Sequence, residues 1–201
     1  MKALPYSARL VLWLAGWAAA LALGFACLRE LAIARPAGRA PPFLERLLGP
    51  VASLAASLEW ARSDYALRQG RTAIAYSRAE TALRLDPGDP QGWMFLAHHF
   101  IYGRAGIDRE PDAAARRRWI LTGLDVLDRG ERSSRDPAAL AFERGIACAF
   151  LASLPDADRA WPASAKAAWG AAAEAFERAA SLGHHRAEAA AARARSLESA
   201  R

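Results

Sequence analysis

Five residues, Asp86-Pro87-Gly88-Asp89-Pro90, separate two segments of helical periodicity and restrict this chain more than any other stretch. Upstream, Ala75, Ala82 and Leu85 recur at steps of seven and three, which places them on one face of a helix. Pro87 biases Asp86 away from helical angles and Gly88 supplies a free turn residue, so the first helix stops here. Asp89 stands where it caps the next helix, with Pro90 at the first helical position, where no donor is lost. Trp93, Leu96, Ala97 and Phe100 follow at i, i+3, i+4 and i+7, a core-facing stripe. Bulky and small side chains thus alternate across a short turn between two helices.

That combination resembles the tetratricopeptide repeat, whose helix pairs interlock a bulky side chain against an alanine or glycine. From Pro50 the chain reads as successive helical hairpins. The first pairs 51–68 with 71–85, broken at Gly70. Gly70, Ala75, Ala82 and Pro87 match places where the repeat wants such residues, whereas Ser63 and Ala66 stand where a small residue and a tyrosine are usual. Trp60 and Tyr65 are displaced from the family's aromatic places. In the second hairpin an irregular loop, 103–111, precedes a helix over 112–128 with Ala113, Ile120, Leu124 and Leu127 as its stripe and Gly130 as its stop. The third begins at Asp136-Pro137, an echo of Asp86-Pro87. Its first helix runs to about 154, with Gly145 at the helix crossing, and its second, over about 163–182, holds Ala172, Phe176 and Ala179. Gly183 closes it. A last helix, 184–199, gathers Ala187, Ala190, Ala191, Ala194 and Leu197 on one side, which suits the cap of a stack. The resemblance covers 60–182. It implies an all-α fold for 50–201, a short α-solenoid of about three hairpins plus a C-terminal capping helix.

The amino-terminal part is of a different kind. Residues 10–28, LVLWLAGWAAALALGFACL, are 19 residues without a charge. As a helix they span roughly 28 Å, close to the hydrocarbon thickness of a bilayer at about 30 Å. A cleaved signal has a shorter apolar core and a small-residue cleavage site, whereas here Arg29 and Glu30 follow directly. A lipoprotein signal needs a leucine-type residue three before Cys27, where Gly24 stands. The segment therefore reads as an uncleaved transmembrane anchor. The basic tail, 1–9, carries Lys2 and Arg9 and favours the inner side of a bacterial inner membrane, which leaves the helical domain outside. Gly16, Ala20 and Gly24, four apart, form a face that lets another membrane helix approach closely. Residues 29–49 are a linker. Its RPAGRAPP stretch is an extended spacer, and 43–48 has the makings of a short helical turn before Gly49-Pro50.

The formal charge of +6 invites a nucleic-acid reading, but the signs are interspersed: Arg109 beside Glu110, Asp125 with Arg129, Glu174 with Arg178. A solvated mixed surface is the simpler account, and no nucleic-acid partner is expected. Arg116-Arg117-Arg118 is the one basic cluster, and three neighbours on a helix point in three directions. Catalytic patterns are missing. His98-His99 and His184-His185 are adjacent pairs rather than the i, i+4 spacing that puts two imidazoles on one face. There is no G-x-S-x-G, no glycine-rich phosphate loop and no CxxC. Cys148, among Ala147, Ala149 and Phe150, reads as inert packing. No enzyme, cofactor, metal or small-molecule substrate is expected.

The tetratricopeptide resemblance instead implies a groove lined by the first helices of successive repeats, which holds a peptide or a partner's helix. The positions that match are Trp60, Asp64 and Arg68 in the first repeat, Gln91, Met94, His98 and Tyr102 in the second, and Phe142 and Ile146 in the third. Trp60, Met94 and Tyr102 are equally compatible with completing the core. The family's clamp for a terminal carboxylate uses asparagines and lysines, which this chain lacks in those places. The expectation is a membrane-anchored interaction scaffold or assembly factor that binds a protein partner. The alternative is a fixed accessory subunit of a membrane complex, held mainly through its transmembrane helix.

Overall fold

The computed structural model describes residues 50–155, 160–162 and 164–200, with side chains from Ala52 onward. The tail 1–9, the apolar segment 10–28 with Gly16, Ala20 and Gly24, and the linker 29–49 lie outside the described residues. Among the described residues the fold is all-α, and no helix is long and apolar enough to cross a membrane.

The first hairpin joins α1 (Pro50–Arg68) to α2 (Thr72–Leu85). Helix α1 buries Ala52, Ala56, Glu59, Ser63 and Ala66, a stripe of mostly small side chains at i, i+4, i+7, i+11 and i+14. It meets Ala75, Ala79 and Ala82 of α2, and the Ser63 hydroxyl donates to the Ala75 carbonyl at 2.8 Å inside the contact. Gly70 makes the connection. Its φ of +72° lies where a Cβ is strained, and Arg71 N–H and Gly70 N–H reach back to the Ala66 and Leu67 carbonyls.

The second hairpin starts as the sequence dictates. The Asp89 carboxylate accepts from Gln91 N–H at the head of α3 (Pro90–His98), and the Trp93 indole donates to the Pro87 carbonyl at 2.9 Å. The expected loop at Gly103 is displaced, because the chain continues without a break into a π-helical segment, His99–Arg104. The wider turn carries an extra residue, so the neighbours Phe100 and Ile101 both reach the interior. Phe100 stacks on Trp119 at 5.8 Å, and Ile101 lies over Gly123. The connection to α4 (Ala113–Ser133) is accordingly shorter than 103–111. Asp112 caps α4 by accepting from Ala114 and Ala115 N–H.

Gly130 does not stop α4. It lies buried inside the helix, where a Cβ would stand 2.7 Å from Trp93 Cγ and 3.0 Å from Leu140 Cδ1. The glycine is a hollow for the indole rather than a terminator. The helix ends at Ser134 instead, and the turn that follows packs against the Asp86–Gly88 turn. Arg135 N–H donates to the Gly88 carbonyl at 3.0 Å, and the Arg135 guanidinium meets Asp86 at 2.7 Å. Asp86 also accepts from the Ser53 hydroxyl, so a single carboxylate links α1 to the turn after α2 and to the turn that precedes the third hairpin.

The third hairpin pairs α5 (Pro137–Ser153) with α6 (Ala165–Ser181), and α7 (Ala187–Ser199) lies on α6. Asp136-Pro137 corresponds to Asp89-Pro90 rather than to Asp86-Pro87: Asp136 accepts from Ala139 N–H, and Pro137 opens the helix. Gly145 receives the Phe176 ring, the bulky-against-small contact expected at this crossing. Gly183, with φ of +91°, closes α6 with the same backbone pattern as Gly70. Helix α5 touches α3 and α4 as well as α6, so it joins the second and third hairpins. One core cluster runs from Ala79 and Leu83 in α2 to Ala191 and Ala194 in α7.

Candidate functional site

The first helices of the second and third hairpins, α3 and α5, lie side by side and present one surface. Phe95, His98 and Tyr102 recur at steps of three and four along α3 and its π-helical extension. Glu143, Ile146 and Phe150 recur at three and four along α5. His98 Nε2 lies 2.6 Å from Glu143 Oε1. The Tyr102 ring meets His98 edge-on at 5.2 Å and Phe150 edge-on at 5.0 Å. Burial, and then the Glu143 charge, push the Tyr102 hydroxyl up to about 12, so it stays protonated at neutral pH. Phe95 is 47% exposed, Phe150 41% and Ile146 38%, although each is large and apolar. On the other side of Phe95 the Trp60 ring of α1 approaches edge-on at 5.4 Å. A Cβ at Gly92 would stand 2.9 Å from Trp60 Cζ2, so α1 and α3 meet where the glycine leaves room for the indole.

The expected positions divide accordingly. Trp60, His98, Tyr102 and Ile146 fall on this surface. Met94 is half-buried against the core, as are Trp60 and Tyr102, the packing alternative raised for all three. Asp64 and Arg68 bond to each other at 2.6 Å along α1, both exposed, a pair that water screens. Gln91 is exposed at the head of α3, and its backbone N–H serves the Asp89 cap. Phe142 departs altogether. It stacks on His184 at 4.0 Å, touches Phe176 and carries Arg186 over its ring, which places it at the α6–α7 junction. Phe95, Glu143 and Phe150 were missed. Phe95 is in step with Gln91, His98 and Tyr102 at i, i+4, i+7 and i+11, a register the choice of Met94 passed over.

A second cluster sits where α2 meets the π-helical segment. His99 Nε2 lies 3.2 Å from the Tyr76 hydroxyl, and the Arg104 guanidinium covers the Trp119 ring at 4.9 Å. Burial first, then Arg104 and Arg109, hold His99 below its ordinary pKa, while burial raises Tyr76. Arg116, from the basic run, is buried and donates to the Glu110 and Pro111 carbonyls, so it holds the loop; Arg117 and Arg118 are exposed.

Comparison with protein-family models, with curated proteins and with solved structures gave no match. The chemistry of the site must therefore be read from its own side chains. Among the described residues no group of three His, Cys, Asp or Glu is placed to hold a metal ion. Cys148 lies buried behind this face, and burial pushes its thiol up to about 11. The α3–α5 face offers apolar rings around a partly buried histidine–carboxylate pair, a composition suited to gripping another apolar surface with one fixed polar contact.

Proposed function

We propose that this chain is a membrane-anchored, tetratricopeptide-like interaction scaffold or assembly factor whose α3–α5 face binds a protein partner. In this reading residues 10–28 anchor it in a bacterial inner membrane, the helical domain stands on the outer side, and the hairpins form a short solenoid capped by α7. The observation that carries the proposal is the exposure of Phe95, Ile146 and Phe150 on adjacent first helices, around the His98–Glu143 pair. Aromatic anchors on a rigid helical surface are the groups that dominate protein–protein affinity. The rings of Phe95 and Phe150 protrude from elements held by Gly92, Trp93 and Leu140, so the face is preformed.

Site-specific photocrosslinking in membranes tests this. A photoreactive residue at position 95 or 150 is expected to capture one discrete protein, and one at Leu121, exposed on α4, is not. Phe150→Ala should abolish capture from position 95 without changing the helical signal. Capture that survives Phe150→Ala but is lost on Gly16→Leu with Gly24→Leu would replace the groove by the accessory-subunit reading, in which the membrane helix alone holds the complex.

A further inference from the structure

The two ends of the helical stack are unlike. At the carboxyl end α7 covers α6 with Ala187, Ala191 and Ala194, and Arg193 and Arg195 face outward. At the amino end nothing among the described residues covers α1 and α2. Leu54 is 72% exposed, Leu58 52%, Tyr65 64% and Ile74 50%. Leu54, Leu58 and Tyr65 recur at i, i+4 and i+11 on one line of α1. That line lies roughly 120–160° around the helix from Trp60, at about 100° per residue, so it points away from α3. Ile74 stands in the same relation to Tyr76, whose ring packs on Phe100 and His99. The four side chains therefore belong to the outer edge of the first hairpin.

The charges of this hairpin are sorted as well. Its acidic residues are Glu59, Asp64 and Glu80. Glu59 is buried and held by Arg62 and Arg78, Asp64 pairs with Arg68, and Glu80 pairs with Arg129 of α4. Arg62 and Arg78 lie about one step round their helices from Glu59 and Ala75, toward the bare edge, and Arg71 precedes α2. Arg62 and Arg78 share the single Glu59 carboxylate, so with exposed Arg71 the edge combines exposed apolar side chains with a net positive charge, and among the described residues of the hairpin no carboxylate is left unpaired. The chain also enters α1 at this hairpin. The 21 residues between the uncharged stretch 10–28 and Pro50 reach at most about 75 Å, which makes this hairpin the tethered end of the stack at any bilayer that holds that stretch.

We propose that this outer edge rests on an anionic lipid surface, with Leu54, Leu58, Tyr65 and Ile74 in the headgroup boundary and the flanking arginines against lipid phosphates. The inference rests on the anchoring by residues 10–28 and is independent of the α3–α5 groove. It gives the domain a fixed attitude, with α7 at the end of the stack farthest from the bilayer.

The test uses the full chain with Cys27→Ser, labelled with an environment-sensitive fluorophore at Leu58→Cys or, as control, at Leu121→Cys, in nanodiscs of phosphatidylcholine alone or with phosphatidylglycerol. The expected result is a blue-shifted emission from position 58, quenched by spin-labelled lipid, in the anionic discs only. High salt should reverse it, Ile74→Ser should weaken it, and position 121 should stay aqueous. An aqueous label in both lipids overturns the proposal. So does a blue shift that is independent of lipid charge. If it grows with chains per disc, the occupant is a second copy; if it persists in detergent at high dilution, the occupant is the chain's own preceding segment. A chain that fails to stay in the discs refutes the anchor separately. The same label is then read against added vesicles of both compositions, where binding to the anionic ones alone sustains the edge and its absence sinks it.

Discussion

Gly130→Ala should destabilise the protein although alanine is the better helix former. In an open helix the change gains about 1 kcal/mol. Here the new methyl would stand 2.7 Å from Trp93 Cγ and 2.9 Å from Trp93 Cβ, closer than side chains approach. Those atoms are the root of the indole, so no rotation about the outer bond removes them. The indole is further held by its 2.9 Å hydrogen bond to the Pro87 carbonyl. Relief requires α3 and α4 to separate, at the usual overpacking penalty of about 1–3 kcal/mol. Losing the indole hydrogen bond adds about 1 kcal/mol. Set against the propensity gain, which cancels the hydrogen-bond loss, the expected net loss is about 1–3 kcal/mol. Gly103→Ala is the control: a Cβ there meets only His99 at 3.6 Å, an ordinary contact, so stability should hold or rise. Urea unfolding of the detergent-solubilised chain, followed by circular dichroism, should give a lower midpoint for Gly130→Ala and an equal or higher one for Gly103→Ala. If Gly130→Ala matched or exceeded the parent, the close approach of Trp93 to α4 would be refuted, and with it the bulky-in-glycine account of the stack.

Other consequences follow from single groups. Asp86→Ala removes the acceptor of both Ser53 and Arg135 and should lower stability by about 1.5–3 kcal/mol in the same assay, with Asp86→Asn in between. His99 is held below its ordinary value near 6.5 by burial and by Arg104 and Arg109, so the unfolded chain takes up its proton more readily than the fold does. Its contribution to stability is therefore full above about pH 6.5 and declines as the pH falls from there toward the lower folded-state value. Urea midpoints measured across that range should flatten in part in His99→Gln, with the remainder left to His184, lowered chiefly by burial. The Cys148 thiol, buried and pushed up to about 11, should react with a maleimide in the Cys27→Ser chain only as fast as the protein unfolds. Rapid labelling of the native protein would contradict its place in the core.

How much of this was visible beforehand depends on the reach of each interaction. The Asp89 cap and the Gly70 and Gly183 stops involve partners within a few residues, and the alanine face of α7 is a local spacing, so the sequence spells them out. Asp136-Pro137 does open the third hairpin, but it does so as a cap like Asp89-Pro90 and not as a stop like Asp86-Pro87, because a local Asp-Pro serves two purposes and only the flanking geometry separates them. Gly130 misled for a related reason: glycine marks a helix end or a close approach, and the indole that fills the hollow comes from 37 positions upstream. The π-helical turn left no local mark, because it is set by Phe100 and Ile101 both being drawn into the core.

The candidate site divides along the same line. The resemblance to the tetratricopeptide repeat, carried onto helical spacing, pointed to Trp60, His98 and Tyr102 as positions on first helices eligible for one surface. It could not tell Met94, turned inward, from Phe95, turned outward, and it could not pair His98 with Glu143, 45 positions away. Helix, turn and cap were written in the chain itself, since a backbone answers to its nearest neighbours. Which side chains met across helices, and which were left facing water, was decided by tertiary packing, since a glycine hollow or an apolar stripe acquires its role only from what lies opposite.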